Sequence, residues 1–286
     1  MASPATWDYD AVRQYLLDME APPGEQDNHR SWIEWHLPRF LRTLSLVPEG
    51  AQGQRCLEIG SIPYTFTVLM QKFRPYEMTL VDFDSSGRRE QHRTVRLPRF
   101  GEVHDFVSHM CDVEREDLPF ADCTFDGVLC CEVLEHLTTD PIMMLAGIHR
   151  VLKPDGWLIL TTPNVATITN ILALLHGRNI YSPYELACGP TWRHNREYTA
   201  TEVSELLVST GFTIEHLSIE EARPTHQRLP LSQRIIKRLL GSWYRQEYGN
   251  QLYIRTRRGP VFRSYYPAWL FQHIEFCPRA RATQTT

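Results

Sequence analysis

The chain has 286 residues, 42% of them hydrophobic and 22% charged, with a formal net charge of −4. That balance suits a soluble globular protein of one α/β domain with embellishments, or at most two domains, and argues against a disordered or fibrous chain. It contains no run of roughly 18 apolar residues, so no membrane span is expected, and MASPATWDYD has neither the basic start nor the apolar centre of a secretory leader. Cys56, Cys111, Cys123, Cys130, Cys131, Cys188 and Cys277 include no C-x-x-C pair and fall largely in apolar runs. They are expected to be reduced thiols of a cytoplasmic protein rather than a disulfide frame or a zinc site. Charge is unevenly spread: residues 222–286 carry twelve Lys/Arg against two Asp/Glu, a tail near +10 on a body near −14. Such a tail suits an anionic or phosphorylated acceptor or peripheral contact with a membrane, and equally suits ion pairs with the acidic body.

In chain order, residues 8–20 and 27–46 read as helices. DYDAVRQYLLDM repeats apolar residues at helical spacing and APPGE breaks it; HRSWIEWHLPRFLRTLSL is aromatic-rich, with Pro38 a kink or boundary. After Gly50 short apolar runs alternate with helical stretches: RCLEIG, a helix through VLMQKF, MTLVD, a polar helix through RREQHR, DFVSHMCD, FDGVLCCE, a helix at PIMMLAGIHRVL, the turn KPDG and WLILTTPN. This alternation predicts a parallel sheet covered on both faces. Residues 165–198 are less regular. TATEVSELLVSTGF predicts an amphipathic helix capped by Thr199 or Thr201 and ended by Gly211. FTIEHLSIEE and QLYIRTRRG read as the last strands, with LPLSQRIIKRLLGSWYR a basic amphipathic helix between them.

In an open parallel sheet, ligands lie beyond the carboxyl ends of the strands, where strand order reverses. The first strand ends in Glu58-Ile59-Gly60, but the next five positions, Ser61 to Thr65, lack the two further glycines of a dinucleotide loop. Asp82 follows the second strand, twenty-two residues after Gly60, close to the spacing of an acid that holds ribose hydroxyls. Asp112, Glu132 and Asn164 end the next three apolar runs. Any one of these could be a strand-end cap; the series points to a nucleotide-bearing ligand.

The segment LPFADCTFDGVLCCEVLEHLTTDPIMMLAGIHRVLKPDGWLILTTPN resembles the class I S-adenosylmethionine-dependent methyltransferases, the group that includes ubiquinone-biosynthesis O-methyltransferases and enzymes of glycan and natural-product clusters. The resemblance covers about residues 54–222. It implies an α/β fold with a doubly wound, mostly parallel, seven-stranded Rossmann-like sheet. With it come an N-terminal helical lid (1–50), a cofactor-binding core (51–222) and a C-terminal helical insertion with the final strand and tail (223–286). It also implies S-adenosyl-L-methionine as cofactor. Glu58, Gly60 and Ser61 would face its methionine portion, Asp82 with Phe83 its ribose, Asp112 and Val113 its adenine, and Glu132 again the methionine end. This cofactor has no pyrophosphate, so one glycine and a proline-shaped turn at Pro63 are enough for its loop.

For an oxygen acceptor the reaction also needs a base, or a metal that acidifies the hydroxyl. In EVLEH, Glu132, Glu135 and His136 are spaced i, i+3, i+4 and on a helix would share a face. With His194 of RHNREYT they resemble the metal site of small-RNA 3′-end 2′-O-methyltransferases, which would hold Mg²⁺ or Mn²⁺. In a metal-free site, His136 or His194 would be the base, with Glu135 shaping the acceptor pocket and Tyr198 a weaker candidate. Trp7, Tyr9, Trp32 and Trp35 could cover the acceptor or simply pack on the sheet; His29 and His36 read as surface or packing residues. The expected function is O-methylation of a small-molecule or saccharide acceptor in a biosynthetic pathway. Two alternatives stand beside it: a metal-dependent RNA 3′-end 2′-O-methyltransferase, which the overall acidity disfavours along with other nucleic-acid partners, and a catalytically inactive partner that keeps the fold.

Overall fold

A single mixed sheet of eight strands organises the chain, as seen in a computed structural model that describes residues 8–21, 26–83, 86–184, 192–222, 235, 238–239, 248–263 and 265–272. The elements run α1 (Tyr9–Leu17), α2 (Gln26–Leu46), β1 (Arg55–Ile59), α3 (Thr65–Phe73), β2 (Glu77–Asp82), β3 (Glu90–Leu97), β4 (Glu102–Met110), β5 (Phe125–Cys131), α4 (Pro141–Val151), β6 (Leu152–Pro163), α5 (Ile168–Leu175), α6 (Ala200–Ser209), β7 (Phe212–Glu220) and β8 (Gln251–Arg258). Strand order is β3-β4-β2-β1-β5-β6-β8-β7. The central strands are parallel, while β3, at one edge, and β8, beside β6, run antiparallel to their neighbours. Strand order reverses between β1 and β5, so their carboxyl ends form the switch point.

Burial explains the layers. One apolar cluster joins α4 and α6 to one sheet face through residues such as Leu145, Ile148, Val203 and Leu206. The other joins α1, α2 and α3 to the opposite face through Tyr15, Leu37, Leu44, Leu69 and Trp157. Thr199 caps α6 in a full capping box with Glu202, and Gly211 follows in the left-handed region at φ 97°. Of the helices described, none is long and apolar enough to cross a membrane.

The structure corrects the sequence reading in four places. The sheet has eight strands, not seven, because the stretch read as a polar helix through RREQHR forms β3. The reason is the period-two pattern at its far end: Val95 and Leu97 turn inward while their neighbours stay exposed. A short 3₁₀ turn, Pro98–Phe100, and Gly101 return the chain as β4, and the hairpin packs on α1, where Tyr15 donates to Glu102 Oε2 at 2.5 Å. Second, α2 runs through Pro38 without ending there. Third, KPDG falls inside the span of β6, with Asp155 in the left-handed region and a register shift against β5. Fourth, Glu132, Glu135 and His136 share no α-helical face: Glu132 sits at φ 58° and Leu134–His136 is a 3₁₀ turn. The basic helix expected over LPLSQRIIKRLLGSWYR lies almost wholly outside the described residues, as do Trp7, Cys188 and Cys277. Of the other cysteines, Cys56, Cys111 and Cys130 are buried and none is bonded to another.

The tightest backbone approach in the central sheet is at Gly127 of β5. A Cβ there would stand 2.1 Å from the indole of Trp157, which also packs edge-on against Tyr76 at 5.6 Å. Gly127→Ala should therefore destabilise the protein by about 1–3 kcal/mol through overpacking, read as a lower urea midpoint with unchanged slope.

Candidate functional site

A cavity of about 610 Å³ opens over the carboxyl ends of β1, β2, β4 and β5, within the range of about 300–1,000 Å³ usual for small-molecule sites. Its floor is the turn after β1. Gly60 takes φ 76° and donates its N–H to Val81 O, and Tyr64 takes φ 70° before α3 begins. Ser61 Oγ donates to Asp82 Oδ2 at 2.6 Å and Ile62 N to Asp82 Oδ1 at 3.1 Å. Ser108 Oγ on β4 lies 3.4 Å from Ser61 Oγ and donates to the Tyr64 hydroxyl at 3.1 Å. The turn that lacks the usual glycines is therefore held by side chains of β2 and β4. Asp82 lines the cavity while also bracing this turn; a carboxylate has lone pairs enough for both tasks.

Glu58 lies beneath the turn. It is 4% exposed and accepts from Thr67 Oγ1 at 2.6 Å. Burial pushes its carboxyl up to about 8, against the lowering effect of the Thr67 hydrogen bond and with the Asp82 charge adding to the rise. Phe83 stands at the cavity mouth, 43% exposed. Asp112 accepts from Glu114 N and pairs with Arg115, both at 3.1 Å, and Val113 joins it in the lining.

Glu132 holds a backbone conformation that side chains rarely adopt, and three partners fix its carboxylate. Oε1 accepts from Thr161 Oγ1 at 2.8 Å and Gln251 Nε2 at 2.7 Å, and Oε2 pairs with Arg39 Nη1 at 2.9 Å. Strain of this kind persists where surrounding contacts over-determine it. Arg39 reaches the site from α2 and gave no signal in the sequence beyond an ordinary helical arginine. It is 9% exposed, its Nη2 meets His36 Nδ1 at 3.2 Å, and its buried Nε has no hydrogen-bond partner. Burial, with the Arg39 charge adding to it, lowers His36 to about 3, so the ring stays neutral. Trp32, His36 and Phe40 pack together with ring centroids 4.7 to 6.0 Å apart and form the α2 side of the cavity. Trp35 and Tyr9 are exposed and away from it. His36 packs against Trp32 and Phe40, as the sequence reading allowed, and also lines the cavity, which that reading did not foresee.

The remaining wall comes from the 3₁₀ turn after β5 and the segment before α6. Glu135, His136 and His194 bring one ligand atom each within 4.8 Å of one another. Glu135 is fully buried; Oε2 accepts from Thr162 Oγ1 at 2.9 Å, while Oε1 has no hydrogen-bond partner and lies 3.9 Å from His136 Nε2. Burial pushes Glu135 up to about 7, against the lowering effects of its hydrogen bonds and Arg39. Asn195 clamps the two segments together through N to Glu135 O at 2.7 Å and Nδ2 to His136 O at 2.8 Å.

The structure therefore brings Glu58, Gly60, Ser61, Asp82, Phe83, Asp112, Val113 and Glu132 to one cavity, whose lining also includes Glu135, His136 and His194. Glu132 stands outside the three-residue cluster expected to include it, because Arg39, Thr161 and Gln251 hold its oxygens. Tyr198 is 2% exposed behind the site, bridged to Asn164 and packed on Trp269, with its hydroxyl pKa raised by burial. It does not line the cavity, and neither does Asn164, whose amide donates to Gly249 O.

A methyltransferase-domain family model matches residues 28–217. A Mycolicibacterium smegmatis protein named as an S-adenosylmethionine-dependent methyltransferase is 33% identical over 137 residues, 48% of this chain and 44% of that protein. A ubiquinone biosynthesis O-methyltransferase of Xanthomonas oryzae is 33% identical over 98 residues, 29% of this chain and 39% of its own length. The chain thus spans less than half the length of these curated relatives. Among solved structures, a chain from a Haloferax volcanii complex of the Trm112 methyltransferase activator with a methyltransferase shares the fold at TM-score 0.52 and 15% identity, covering 88% of this chain and 98% of that one. An S-adenosylmethionine-dependent methyltransferase of Thermotoga maritima does so at TM-score 0.50 and 17% identity, covering 82% and 96%. The family match takes in both the acids at the strand ends and the helix above them, and the chain belongs to the methyltransferase-domain family, among the class I S-adenosylmethionine-dependent methyltransferases.

Proposed function

We propose that this protein methylates an oxygen of a small-molecule or saccharide acceptor, using S-adenosyl-L-methionine. The observation that carries the reading is one cavity with acids at the ends of successive strands on one side and two imidazoles beside a buried carboxylate on the other. When bound, the cofactor supplies a methyl group on a positively charged sulfur.

The residues fit its amino-acid end. Buried Arg39 pairs with half-buried Glu132, and the unpartnered Arg39 Nε supplies a donor that a carboxylate would satisfy. Asp82 would take the ribose hydroxyls, and Asp112 and Val113 the adenine edge; all three line the same cavity. Helix α2 acts as a lid: Trp32, His36 and Phe40 exclude water over the acceptor's side, with Trp192 in the lining near His194. Among the described lining residues, Asp82, Asp112, Glu114 and Glu132 stand beside two guanidiniums, Arg39 and Arg115, while burial pushes Glu58 and Glu135 toward their neutral forms; the balance favours an uncharged acceptor over a phosphorylated one. His194 or His136 accepts the hydroxyl proton at Nε2, within a site where alignment of the reacting groups supplies most of the rate.

A second form of this reading includes a divalent cation. Two imidazoles and a carboxylate are a donor set for such an ion, and the orphaned Glu135 Oε1 is the atom that would gain most from one. Glu135, His136 and His194 would hold it, and when bound it would make an acceptor hydroxyl more acidic.

Calorimetry with S-adenosylhomocysteine should give micromolar binding. Asp82→Asn and Arg39→Met should each weaken it by about ten- to a hundredfold, the loss expected for a hydrogen bond to a charged group; no binding at millimolar ligand to the wild type overturns the reading. A methyl-transfer panel of a hexose, a phenol, a carboxylate and an RNA 3′ end should show transfer to oxygen of the hexose or the phenol. Transfer unchanged by EDTA, from protein that carries no metal, removes the cation.

A further inference from the structure

Two histidines face the acceptor side of the cavity, and different groups orient them. His136 Nδ1 is 3.1 Å from Arg193 O. A carbonyl only accepts, so the neutral ring carries its proton on Nδ1 and its lone pair on Nε2. His194 Nδ1 is 2.7 Å from Glu197 Oε1, a contact between two side chains three residues apart. A carboxylate likewise only accepts, so His194 also carries its proton on Nδ1 and presents Nε2 as the basic nitrogen.

We propose that Glu197 is a positioning residue for the methyl-transfer reaction: its carboxylate fixes the tautomer and rotation of His194, so that Nε2 is the nitrogen presented to the acceptor side. The proposal rests on the reading of His194 as an acceptor-side group, and it assigns a residue beyond that reading.

Three observations separate this from an ordinary surface pair. First, the backbone on either side of His194 is already clamped: Arg193 O to His136, and Asn195 and Arg196 N–H to Glu135 O. The clamp fixes where the ring begins but leaves its own rotation open, and Glu197 supplies that constraint. Second, the neighbouring cation does not compete for Glu197, because Arg196 pairs with Glu202 at 3.0 Å and lies over the Tyr198 and Trp269 rings. Third, the pair is partly shielded, with side chains 34% and 25% exposed, and the two histidine rings meet edge to face at 5.1 Å. A ring flipped by half a turn about its Cβ–Cγ bond would keep that contact and lose the Glu197 bond, so the Glu197 bond is what selects the nitrogen presented. The same orientation is needed whether Nε2 takes a proton or gives its lone pair to a cation, so the inference does not depend on which form of the function holds. A carboxylate behind an imidazole is a recurrent way of setting which ring nitrogen is presented.

The test is nitrogen NMR of the histidine side chains in the full-length protein near pH 8, with His194 identified by its loss in His194→Gln. Wild type should show His194 protonated on Nδ1. In Glu197→Ala the ring should shift to a majority of Nε2–H, whereas Glu197→Gln, whose amide oxygen still accepts, should restore Nδ1–H. S-Adenosylhomocysteine affinity should stay within about twofold across the three proteins, because none of these changes touches the cofactor side of the cavity. An Nδ1–H ring that persists in Glu197→Ala, or an Nε2–H ring in wild type, overturns the proposal. Failure of the functional reading looks different: S-adenosylhomocysteine does not bind wild type at all, while the tautomer series still behaves as stated.

Discussion

The site depends first on the grip of Asp82 on the turn after β1. In glycine-rich versions of such a turn, permissive backbone lets the chain curl close to a ligand. Here Gly60 is the single glycine, and the rest of the curl is imposed from outside by two hydrogen bonds to one carboxylate. Because β1 and β2 are adjacent and parallel, with Ile59 opposite Val81, the end of β2 stands where that carboxylate is needed. Ser108 on the next strand out extends the brace through Ser61 and Tyr64. Three neighbouring strand ends thus fix one turn, and the cavity floor inherits the rigidity of the sheet. Glu58 can then lie buried beneath it with a pKa raised by that burial and by the Asp82 charge.

The second constraint ties the N-terminal helices to this floor. Arg39 on α2 reaches Glu132 at the end of β5, while Arg42, one turn further along, pairs with Glu220 and meets His216 on β7. The first contact is nearly buried and the second is partly exposed, so their weights differ: a shielded, charge-assisted pair holds position far better than one that water screens. The helix is therefore fixed most firmly beside the cavity. This puts Trp32, His36 and Phe40 over the ligand space and leaves Trp35 on the outside, although all belong to one aromatic-rich stretch.

Much of this was legible in the sequence because strand ends carry their own punctuation. Apolar runs that stop at Glu58, Asp82, Asp112 and Glu132 predict both a parallel sheet and where its ligand lies, and the structure gathers those residues at one cavity. What escaped was whatever depends on a partner remote in sequence. RREQHR is polar enough to look helical, and only its pairing with β4 reveals β3. EVLEH has helical spacing, but the chain leaves β5 through a strained Glu132 and a 3₁₀ turn, so the spacing did not become a shared face. Arg39 has no local signature at all, since its importance comes from being buried against a residue ninety-three positions away.

The part of the cavity that carries the histidines shows the same limit from another direction. Its walls come from α2, from the turn after β5 and from Trp192 and His194, three stretches that share no sequence pattern and meet only in space. A clamp rather than a motif joins the last two: Asn195 fastens the His194 segment to carbonyls of Glu135 and His136. The clamp is made through backbone carbonyls, whereas the turn after β1 is held by the Asp82 carboxylate, so the two parts of the lining are fixed by different contacts. The two halves of the cavity meet at α2, which carries both Arg39 against Glu132 and the packed rings of Trp32, His36 and Phe40. One half is written into the sheet, and its chemistry follows from strand order. The other is assembled from one helix and two irregular segments, and only the facing groups themselves, here three packed rings of α2 and two imidazoles, say what it can receive.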